Sequence, residues 1–198
     1  MIQHILLTFK KYINLKYNSG DFINVRAGIG FGTVLGNDKY NKQADLKIRN
    51  LNFKTNILEA NVCVEINLAD PEIYYSYPYL LAGVGLFYFN PYTYDKNNTK
   101  IYLQPLSTEG EGLTQYSDRK KYSLRQVCFP AGFGWKINLK EKWEITYEFG
   151  YRFLITDYLD DVSKTYVNKD VLNQTIGPTS AELSYRKDGV PFKEEGEA

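Results

Sequence analysis

Residues 143–155 alternate between large apolar or aromatic side chains and polar ones. Trp143, Tyr147 and Phe149 occupy odd-numbered positions, whereas Glu144 and Glu148 occupy even-numbered ones. Each such set of alternate positions in a strand is called a parity below. A period of two is typical of a β-strand with two different faces, because successive side chains point to opposite sides of a sheet. Similar alternation, weak only in the fourth segment, predicts six strands in all, at about residues 5–17, 22–34, 51–68, 78–90, 121–139 and 143–155.

The connections between these segments alternate in length. The links from the first strand to the second, the third to the fourth and the fifth to the sixth are short, and the others are long. In an antiparallel up-and-down meander, all the short turns then fall at one end. Outer-membrane β-barrels have this layout, with short periplasmic turns and long external loops. A soluble barrel also permits it, so the layout favours a membrane barrel without requiring one.

Glycine placement predicts which face of the sheet is the outer one. In the second and fifth strands, glycines occupy the same alternate positions as the polar side chains, whereas large aromatic rings occupy the other positions. The interior of an eight-stranded barrel is just wide enough to be filled by side chains, so it accepts glycines and ions more easily than many rings. We therefore expect these side chains to face lipid or to form aromatic girdles: Phe31, Phe133, Trp135, Trp143, Tyr147, Phe149, Tyr151 and Phe153.

The opposite parity predicts a charged interior. Buried ions must find a partner or water, because an unpaired buried charge costs several kcal/mol. Both signs are present, which predicts a plugged, ion-paired interior rather than an open pore. The predicted interior charges are Arg26, Glu59, Glu65, Lys136, Glu144, Glu148 and Arg152.

Composition changes this interpretation little. The chain has 198 residues and a formal net charge of +1, which suits one sizeable domain and gives no basic field for nucleic acid. Its 18 tyrosines suit side chains at a polar–apolar boundary, although a tyrosine-rich soluble β-sandwich or lipocalin-like barrel also fits. Further tyrosines and phenylalanines at the two ends of the fourth strand are expected to join the girdles: Tyr74, Tyr75, Tyr77, Tyr79, Phe87, Tyr88, Phe89, Tyr92 and Tyr94.

Candidate catalytic and metal-binding groups are few. With His4 as the single histidine, a Ser-His-Asp arrangement is improbable, and the alternation already explains Glu144 and Glu148 without a carboxylate active site. Cys63 and Cys128 belong to no CxxC pair, and an intervening strand would separate their Cα atoms by about 9–10 Å, beyond the reach of a disulfide. The sequence therefore predicts no enzyme, no cofactor and no metal centre.

The stretch TDYLDDVSKTYVN, residues 156–168, begins where the last strand ends. Asp157, Asp160 and Asp161 could bind Ca²⁺, but their spacing matches no EF-hand loop. We expect instead that Tyr158 and Tyr166 cover the barrel mouth while the aspartates cap backbone N–H groups or pair with cations. The preceding long connection contains an acidic and then basic stretch, residues 107–122, which is predicted to be a flexible loop.

Four stretches carry a family resemblance: RNLNFKTNILE (49–59), YPYLLAGVGLFYFNP (77–91), LQPLSTEGEGL (103–113) and EFGYRFLITDYLDDVSKTYVN (148–168). Together they resemble the Gram-negative outer-membrane β-barrel family that includes PorG of the type IX secretion system. The resemblance implies an outer-membrane location and an eight-stranded antiparallel barrel. For the PorG branch it also implies association with a periplasmic ring built by a lipoprotein and its partner.

The chain departs from that family at both ends. Members usually begin with a signal peptide and a further strand, and they end with a strand, but neither feature is readable here. We therefore expect a barrel domain over residues 1–170 that is incomplete at its N-terminus, followed by a polar loop or tail over residues 171–198.

These observations support three hypotheses. The first is a non-enzymatic outer-membrane scaffold or anchor of a type IX protein secretion machine. The second is a small structural or adhesin-like outer-membrane barrel with no secretion role. The third is a soluble lipocalin-like carrier with the apolar parity turned inward.

Overall fold

The computed structural model describes residues 5–37, 52–95, 97–140, 143–161 and 167–184. Its strands are β1 (Ile5–Asn18), β2 (Ile23–Asn37), β3 (Asn52–Asn67), β4 (Ser76–Tyr94), β5 (Lys100–Tyr102), β6 (Arg125–Lys140) and β7 (Trp143–Leu154). Three 3-10 helices span Gln104–Leu106, Thr114–Tyr116 and Tyr158–Asp160. The α-helices are α1 (Lys169–Thr175) and α2 (Pro178–Ser184).

The strands form one antiparallel meander. The order across the sheet is β1-β2-β3-β4-β6-β7, and the short β5 pairs with β4 outside this path. The predicted all-β antiparallel fold is therefore confirmed. The six long strands correspond to the six segments in which the sequence alternates, and β5 lies inside the long connection between β4 and β6.

The sheet is curved but open. Within the described residues, β1 and β7 are not paired with each other, so they form its two edges. The curvature nevertheless brings the edges near each other, because the Lys16 Nζ atom on β1 lies 3.3 Å from Glu144 Oε1 on β7. The concave face of the sheet is called the interior below.

The two faces differ sharply in polarity, and β3 is the clearest example. Leu58 and Val62 are exposed on its convex face, whereas Glu59 and Glu65 are buried on its concave face. The strand thus exposes its apolar side chains and encloses its polar ones. This distribution is the reverse of that of a soluble barrel, whose apolar side chains fill the centre.

Two of the long connections meet at one end of the sheet, opposite the short turns. The segment between β4 and β6 and the segment after β7 pack together there, and we call them the cap (residues 97–124, 155–161 and 167–184). The stretch expected to be a flexible loop, residues 107–122, is part of this packed layer, with Thr108 and Glu111 buried. That expectation therefore fails, because the second long segment covers the loop.

Strand β4 required the main correction. Tyr77 and Tyr79 near one end and Phe87 and Phe89 near the other are buried on the concave face, so these four rings do not belong to the girdles. Tyr92 is also buried. The exposed members of the predicted set are Tyr74, Tyr75, Tyr88 and Tyr94. The sequence misled here because both parities of β4 carry aromatic rings, so composition could not tell the faces apart.

A β-bulge interrupts the alternation of β1. Phe9 is paired with Gly32 and Lys11 with Phe31, so the register shifts by one residue between them. A shift of one residue exchanges the two faces of a strand. The two-residue period of β1 is therefore not continuous through the bulge.

Residues 169–184 form helices where the sequence predicted a polar loop or tail. The Asn168 side chain accepts hydrogen bonds from the backbone N–H groups of Asp170 and Val171, which begins α1. Leu172 of α1 and Ala181 of α2 are buried against Tyr116 and Val167. These two short helices are therefore part of the cap, held by packing onto the loop between β4 and β6.

Candidate functional site

A cluster of ionic side chains fills the interior near the short turns. Glu65 on β3 accepts a hydrogen bond from Lys136 on β6, with a Nζ–Oε2 distance of 2.6 Å. Arg26 Nη1 lies 3.1 Å and Lys16 Nζ 3.9 Å from the same carboxylate. Lys136 is 1% exposed and Glu65 is 2% exposed, so this pair is withdrawn from solvent. Lys136 Nζ also donates to Asn67 Oδ1 at 3.0 Å.

Glu148 connects strands that are far apart in the sheet. Its carboxylate accepts two hydrogen bonds from Arg26 on β2, at 2.7 and 3.1 Å. It also accepts a hydrogen bond from the Tyr79 hydroxyl on β4 at 2.6 Å. Because β7 and β2 lie near opposite edges of the sheet, this contact spans the interior. The two-point geometry of a guanidinium on a carboxylate makes it a strong and directional link.

A second polar cluster lies further toward the cap. Arg152 Nε on β7 is 3.2 Å from Glu59 Oε2 on β3. The Tyr12 hydroxyl on β1 donates to Glu59 Oε1 at 3.2 Å, and Asn61 donates to Tyr12. This cluster again joins both edge strands to the middle of the sheet.

The charges of the interior balance. All seven predicted interior charges lie on the concave face, and they form ion pairs there together with Lys16, which the sequence analysis did not include. Lys16 occupies the same alternate positions of β1 as the polar residue Asn14, and this pattern could have identified it as an interior residue. The paired cations are Lys16, Arg26, Lys136 and Arg152, and the carboxylates are Glu59, Glu65, Glu144 and Glu148. Among the described residues, these ion pairs therefore contain four cations and four carboxylates.

Two tyrosines that sequence reasoning assigned no interior role complete these clusters. Tyr79 packs against Gly134, and Lys136 Nζ lies 4.3 Å from the centre of its ring. Tyr12 packs over Gly28 and Gly30. The inward glycines of β2 and β6 are thus the space into which interior rings fit. A glycine opposite an aromatic residue on a neighbouring strand could have indicated from the sequence that the ring faces the interior.

A cavity of about 300 Å³ lies between the two polar clusters. Arg26 and Glu148 line one side, and Tyr12, Asn61 and Arg152 line the other. The carboxylate of Glu148 is held by Arg26 and Tyr79. The lining of the cavity is mixed, because Leu81, Pro130 and Ala131 contribute apolar surface beside these charged groups.

We expect Gly134→Ala to lower the free energy of unfolding by about 1–3 kcal/mol, because overpacking forces neighbouring atoms to move. An added Cβ would lie 2.4 Å from a ring carbon of Tyr79 and 2.5 Å from the backbone oxygen of Tyr147. Denaturant unfolding monitored by circular dichroism measures the change. Gly20→Ala is the matched control, since no atom lies within 4 Å of its added Cβ. Equal stability of the two variants would contradict the packing argument.

The convex face carries the predicted lipid-facing side chains. Phe133 is 59%, Tyr147 65% and Phe149 66% exposed. The structure also exposes the other members of the predicted set on this face: Phe31, Trp135, Trp143, Tyr151 and Phe153. Trp135 donates its ring N–H to Ser76 Oγ at 2.7 Å, close to the short turns. The rings therefore form an apolar exterior around the polar interior.

The cap closes the other end of the interior. Phe87, Phe89 and Tyr122 are buried in one apolar cluster beneath it, together with Leu183 of α2. Thr55 at the end of β3 donates to the backbone oxygen of Leu159 at 2.9 Å. The mouth of the sheet is thus filled by apolar side chains and covered by the cap.

The predicted loop motif divides into separate environments. Tyr158 stacks on Tyr122 with ring centres 4.6 Å apart, which agrees with a role in covering the mouth. Asp157 is exposed, whereas Asp161 is buried and accepts hydrogen bonds from Thr108 and Tyr122. Asp161 therefore bonds to hydroxyl groups, and among the described residues neither a cation nor a backbone N–H group is a hydrogen-bond partner of its side chain. Tyr166 and the Asp160 side chain lie outside the described residues.

Burial raises the pKa of Asp161 well above its ordinary value, and the nearby carboxylate of Glu111 raises it further. Burial also raises the pKa of Glu111. Removal of a carboxylate from water disfavours its ionised form, which is why both shifts are upward. The cap is thus a place where protonation and packing are linked.

Neither cysteine is in a disulfide. Cys63 and Cys128 are buried free thiols on β3 and β6, with β4 between them as expected. In the described ranges, no group of three or more His, Cys, Asp or Glu side chains is arranged to hold a metal ion. Neither α1, α2 nor any other described helix has the length and apolar character needed to cross a membrane.

Comparison with known proteins gave no family assignment. No protein-family model, curated protein or solved structure matches this chain.

Proposed function

We propose that this chain forms the wall of a non-enzymatic outer-membrane β-barrel. One observation carries the proposal: the sheet turns its large apolar side chains outward and its ions inward. Phe149 is 66% exposed on the convex face, whereas Lys136 is 1% exposed in the interior. Large contiguous apolar surfaces are rare on soluble monomers, and a lipid-facing barrel requires one.

The proposal requires further strand partners for β1 and β7. In lipid, every backbone N–H and C=O group must be hydrogen-bonded within the protein, so an open edge cannot persist there. The contact between Lys16 and Glu144, at 3.3 Å, supports closure because the two edges already face each other across the interior. Additional strands that complete the barrel would satisfy both edges.

The interior supports a structural role over a conducting one. The carboxylates and cations named above are paired, and the cap fills the mouth. A pore needs a continuous aqueous path, which these pairs and the buried rings of Phe87 and Phe89 obstruct. We therefore propose a plugged barrel that anchors or positions another component.

The resemblance described above suggests that this component belongs to a type IX secretion machine. In that branch of the family, the periplasmic ring lipoprotein and its partner would contact the short turns. The exposed turn between β3 and β4, which carries Tyr74 and Tyr75, is the largest short connection available for such a contact. A small adhesin-like barrel without a secretion role remains the second candidate, with the cap as its binding surface.

We expect the protein to fractionate with outer membranes. We also expect both of its tryptophans to lie near a lipid–water interface. Trp135 and Trp143 are exposed beside the short turn between β6 and β7, and tryptophan is enriched at membrane interfaces. In vesicles of brominated phosphatidylcholine, bromine near the headgroup should quench their fluorescence more than bromine deep in the acyl chain. The variants Trp135→Phe and Trp143→Phe resolve each contribution. A detergent-free, monodisperse protein without lipid quenching would favour the soluble carrier and overturn the proposal.

A second measurement separates the two membrane functions. If the scaffold function is correct, cross-linking in intact cells should join the short-turn end to periplasmic ring components. Deletion of residues 107–116 from the cap should leave that cross-link intact. Loss of cell-surface adhesion in the same deletion, without any ring cross-link, would favour the adhesin-like barrel instead.

A further inference from the structure

Hydrogen bonds add to the apolar packing that holds the two segments of the cap together. Ser180 of α2 donates to the backbone oxygen of Leu106 at 2.6 Å. Asp161 supplies two of the other links, because it accepts hydrogen bonds from Thr108 Oγ1 at 2.8 Å and from the Tyr122 hydroxyl. Thr108 and Tyr122 belong to the loop between β4 and β6, whereas Asp161 follows β7. The Asp161 side chain therefore links one segment of the cap to two residues of the other.

The position of Asp161 is specific and enclosed. The residue is 2% exposed and adopts the left-handed backbone conformation, with φ of 63°. Asp and Asn are among the few residues with a side chain that adopt this conformation readily. The end of the preceding 3-10 helix (Tyr158–Asp160) thus turns the carboxyl group inward toward the loop.

The groups that face Asp161 are mostly acidic or neutral. Glu111 and Glu109 of the loop are both buried and lie near it, and Tyr122 is its titratable hydrogen-bond partner. Arg119 donates to the backbone oxygen of Glu109, and the charges of Arg119 and Lys121 act on Glu111. Within the part of the chain that the structure describes, no Lys or Arg nitrogen forms an ion pair with Asp161.

The second carboxylate is incompletely satisfied. Glu111 is 2% exposed, and its Oε2 accepts from the backbone N–H of Glu109, whereas its Oε1 has no hydrogen-bond partner among the described residues. Two buried carboxylates without a paired cation cannot both be ionised without a large desolvation and repulsion cost. The hydroxyl groups of Tyr122 and Thr108 favour the ionised form of Asp161, but burial and the nearby carboxylates of Glu111 and Glu109 outweigh them. A neutral carboxyl group can still bond to both hydroxyl groups, because it accepts from one and donates to the other.

We propose that Asp161 is a proton-operated latch of the cap: its neutral form fastens the segment after β7 to the loop between β4 and β6, and its ionisation loosens both from the mouth. The conformational consequence is local. The interior ion pairs lie below the cap, whereas Leu183 and Tyr122, which cover Phe89, belong to the cap itself. Opening of the latch would therefore uncover the apolar cluster at the mouth.

The direction of the pH effect follows from linkage. The pKa of Asp161 in the folded cap lies above its ordinary value. The stabilisation is therefore fully present below about pH 4, the ordinary pKa of Asp. It decreases as the pH rises toward the folded pKa, and it is constant above that value.

Hydrogen exchange of the full chain in detergent micelles, between pH 4.5 and 9, tests the latch. Peptides covering residues 104–117, 155–161 and 169–184 report the cap, and β3 is the internal reference. Protection in the cap should fall by about tenfold for each pH unit within the window, after correction for intrinsic exchange rates. Asp161→Asn imitates the neutral acid, so its cap should stay protected at every pH. Asp157→Asn, at an exposed aspartate of the same segment, should behave like the unmodified protein.

Glu111→Gln gives an independent prediction. Its neutral side chain removes the charge that disfavours ionisation of Asp161, so the cap should lose less protection at high pH than the unmodified protein. A pH-independent cap, or an Asp161→Asn variant with the same pH dependence as the unmodified protein, would overturn the proposal. Restoration of protection at pH 8 by Ca²⁺, with loss on addition of EDTA, would also overturn it, because a cation would then neutralise the site. None of these outcomes depends on whether the chain lies in a membrane.

Discussion

Glu65→Gln is expected to lower the free energy of unfolding by about 3–5 kcal/mol, the usual cost of removing one partner of a buried ion pair. Glutamine keeps the size of the side chain but leaves the ammonium group of Lys136 without its carboxylate. Lys136 is 1% exposed, and it also donates a hydrogen bond to Asn67, whose side chain is neutral. The charge would therefore remain buried without compensation.

Two comparisons make this prediction specific. Glu144→Gln removes a carboxylate whose side chain is 32% exposed and is paired with the 28% exposed Lys16, so we expect a change of about 0–1 kcal/mol. The double variant Glu65→Gln with Lys136→Met removes both charges and should recover most of the loss. Urea unfolding of all variants in the same micelles gives the values. If Glu65→Gln were no worse than Glu144→Gln, the interior would have to be hydrated enough to solvate Lys136.

Val62→Arg is expected to destabilise the protein in phospholipid vesicles by about 2–4 kcal/mol, as a cation on the lipid face near the bilayer midplane does. Val62 is one of the apolar residues on the convex face of β3, and it is 51% exposed. In lipid, an arginine there must either lose its hydration or distort the bilayer. On a soluble protein the same exposed substitution would change stability by about 0.5 kcal/mol or less.

The matched variant is Leu68→Arg, one residue beyond the end of β3 at the short turns. Leu68 is 54% exposed, similar to Val62, but an arginine near the interface should cost only about 0–1 kcal/mol. Reversible unfolding in vesicles of one lipid composition measures both variants. Equal, small effects would contradict the membrane location proposed for the convex face. A depth-dependent difference would support that location without identifying the secretion machine.

These two substitutions address opposite faces of the same strand. Glu65 and Val62 lie three positions apart on β3, so one faces the interior and the other faces outward. A soluble barrel with buried ions would respond to the first substitution and not to the second. The pair of results therefore separates the presence of an ionic interior from the presence of lipid outside.

The sequence by itself determined the strands that have two chemically different faces. In β3 and β6, and in most of β2 and β7, apolar and polar positions alternate, and a period of two assigns every residue to a face. Glycines on one parity and rings on the other also predicted which face would be the interior. For this reason, interior residues such as Glu65 and Lys136 could be proposed before any pairing was known.

Only the tertiary structure decided the partners of those residues. Parity gives the face of a side chain but not its partner, so the contact between Arg26 and Glu148, 122 positions apart, depends on how strongly the sheet curls. In β4, aromatic rings occupy both sets of alternate positions, so only packing determined that Tyr79 and Phe89 face the interior. The latch likewise joins Tyr122 and Asp161 from separate connections, because burial and hydrogen bonding there depend on how two long segments fold over one mouth.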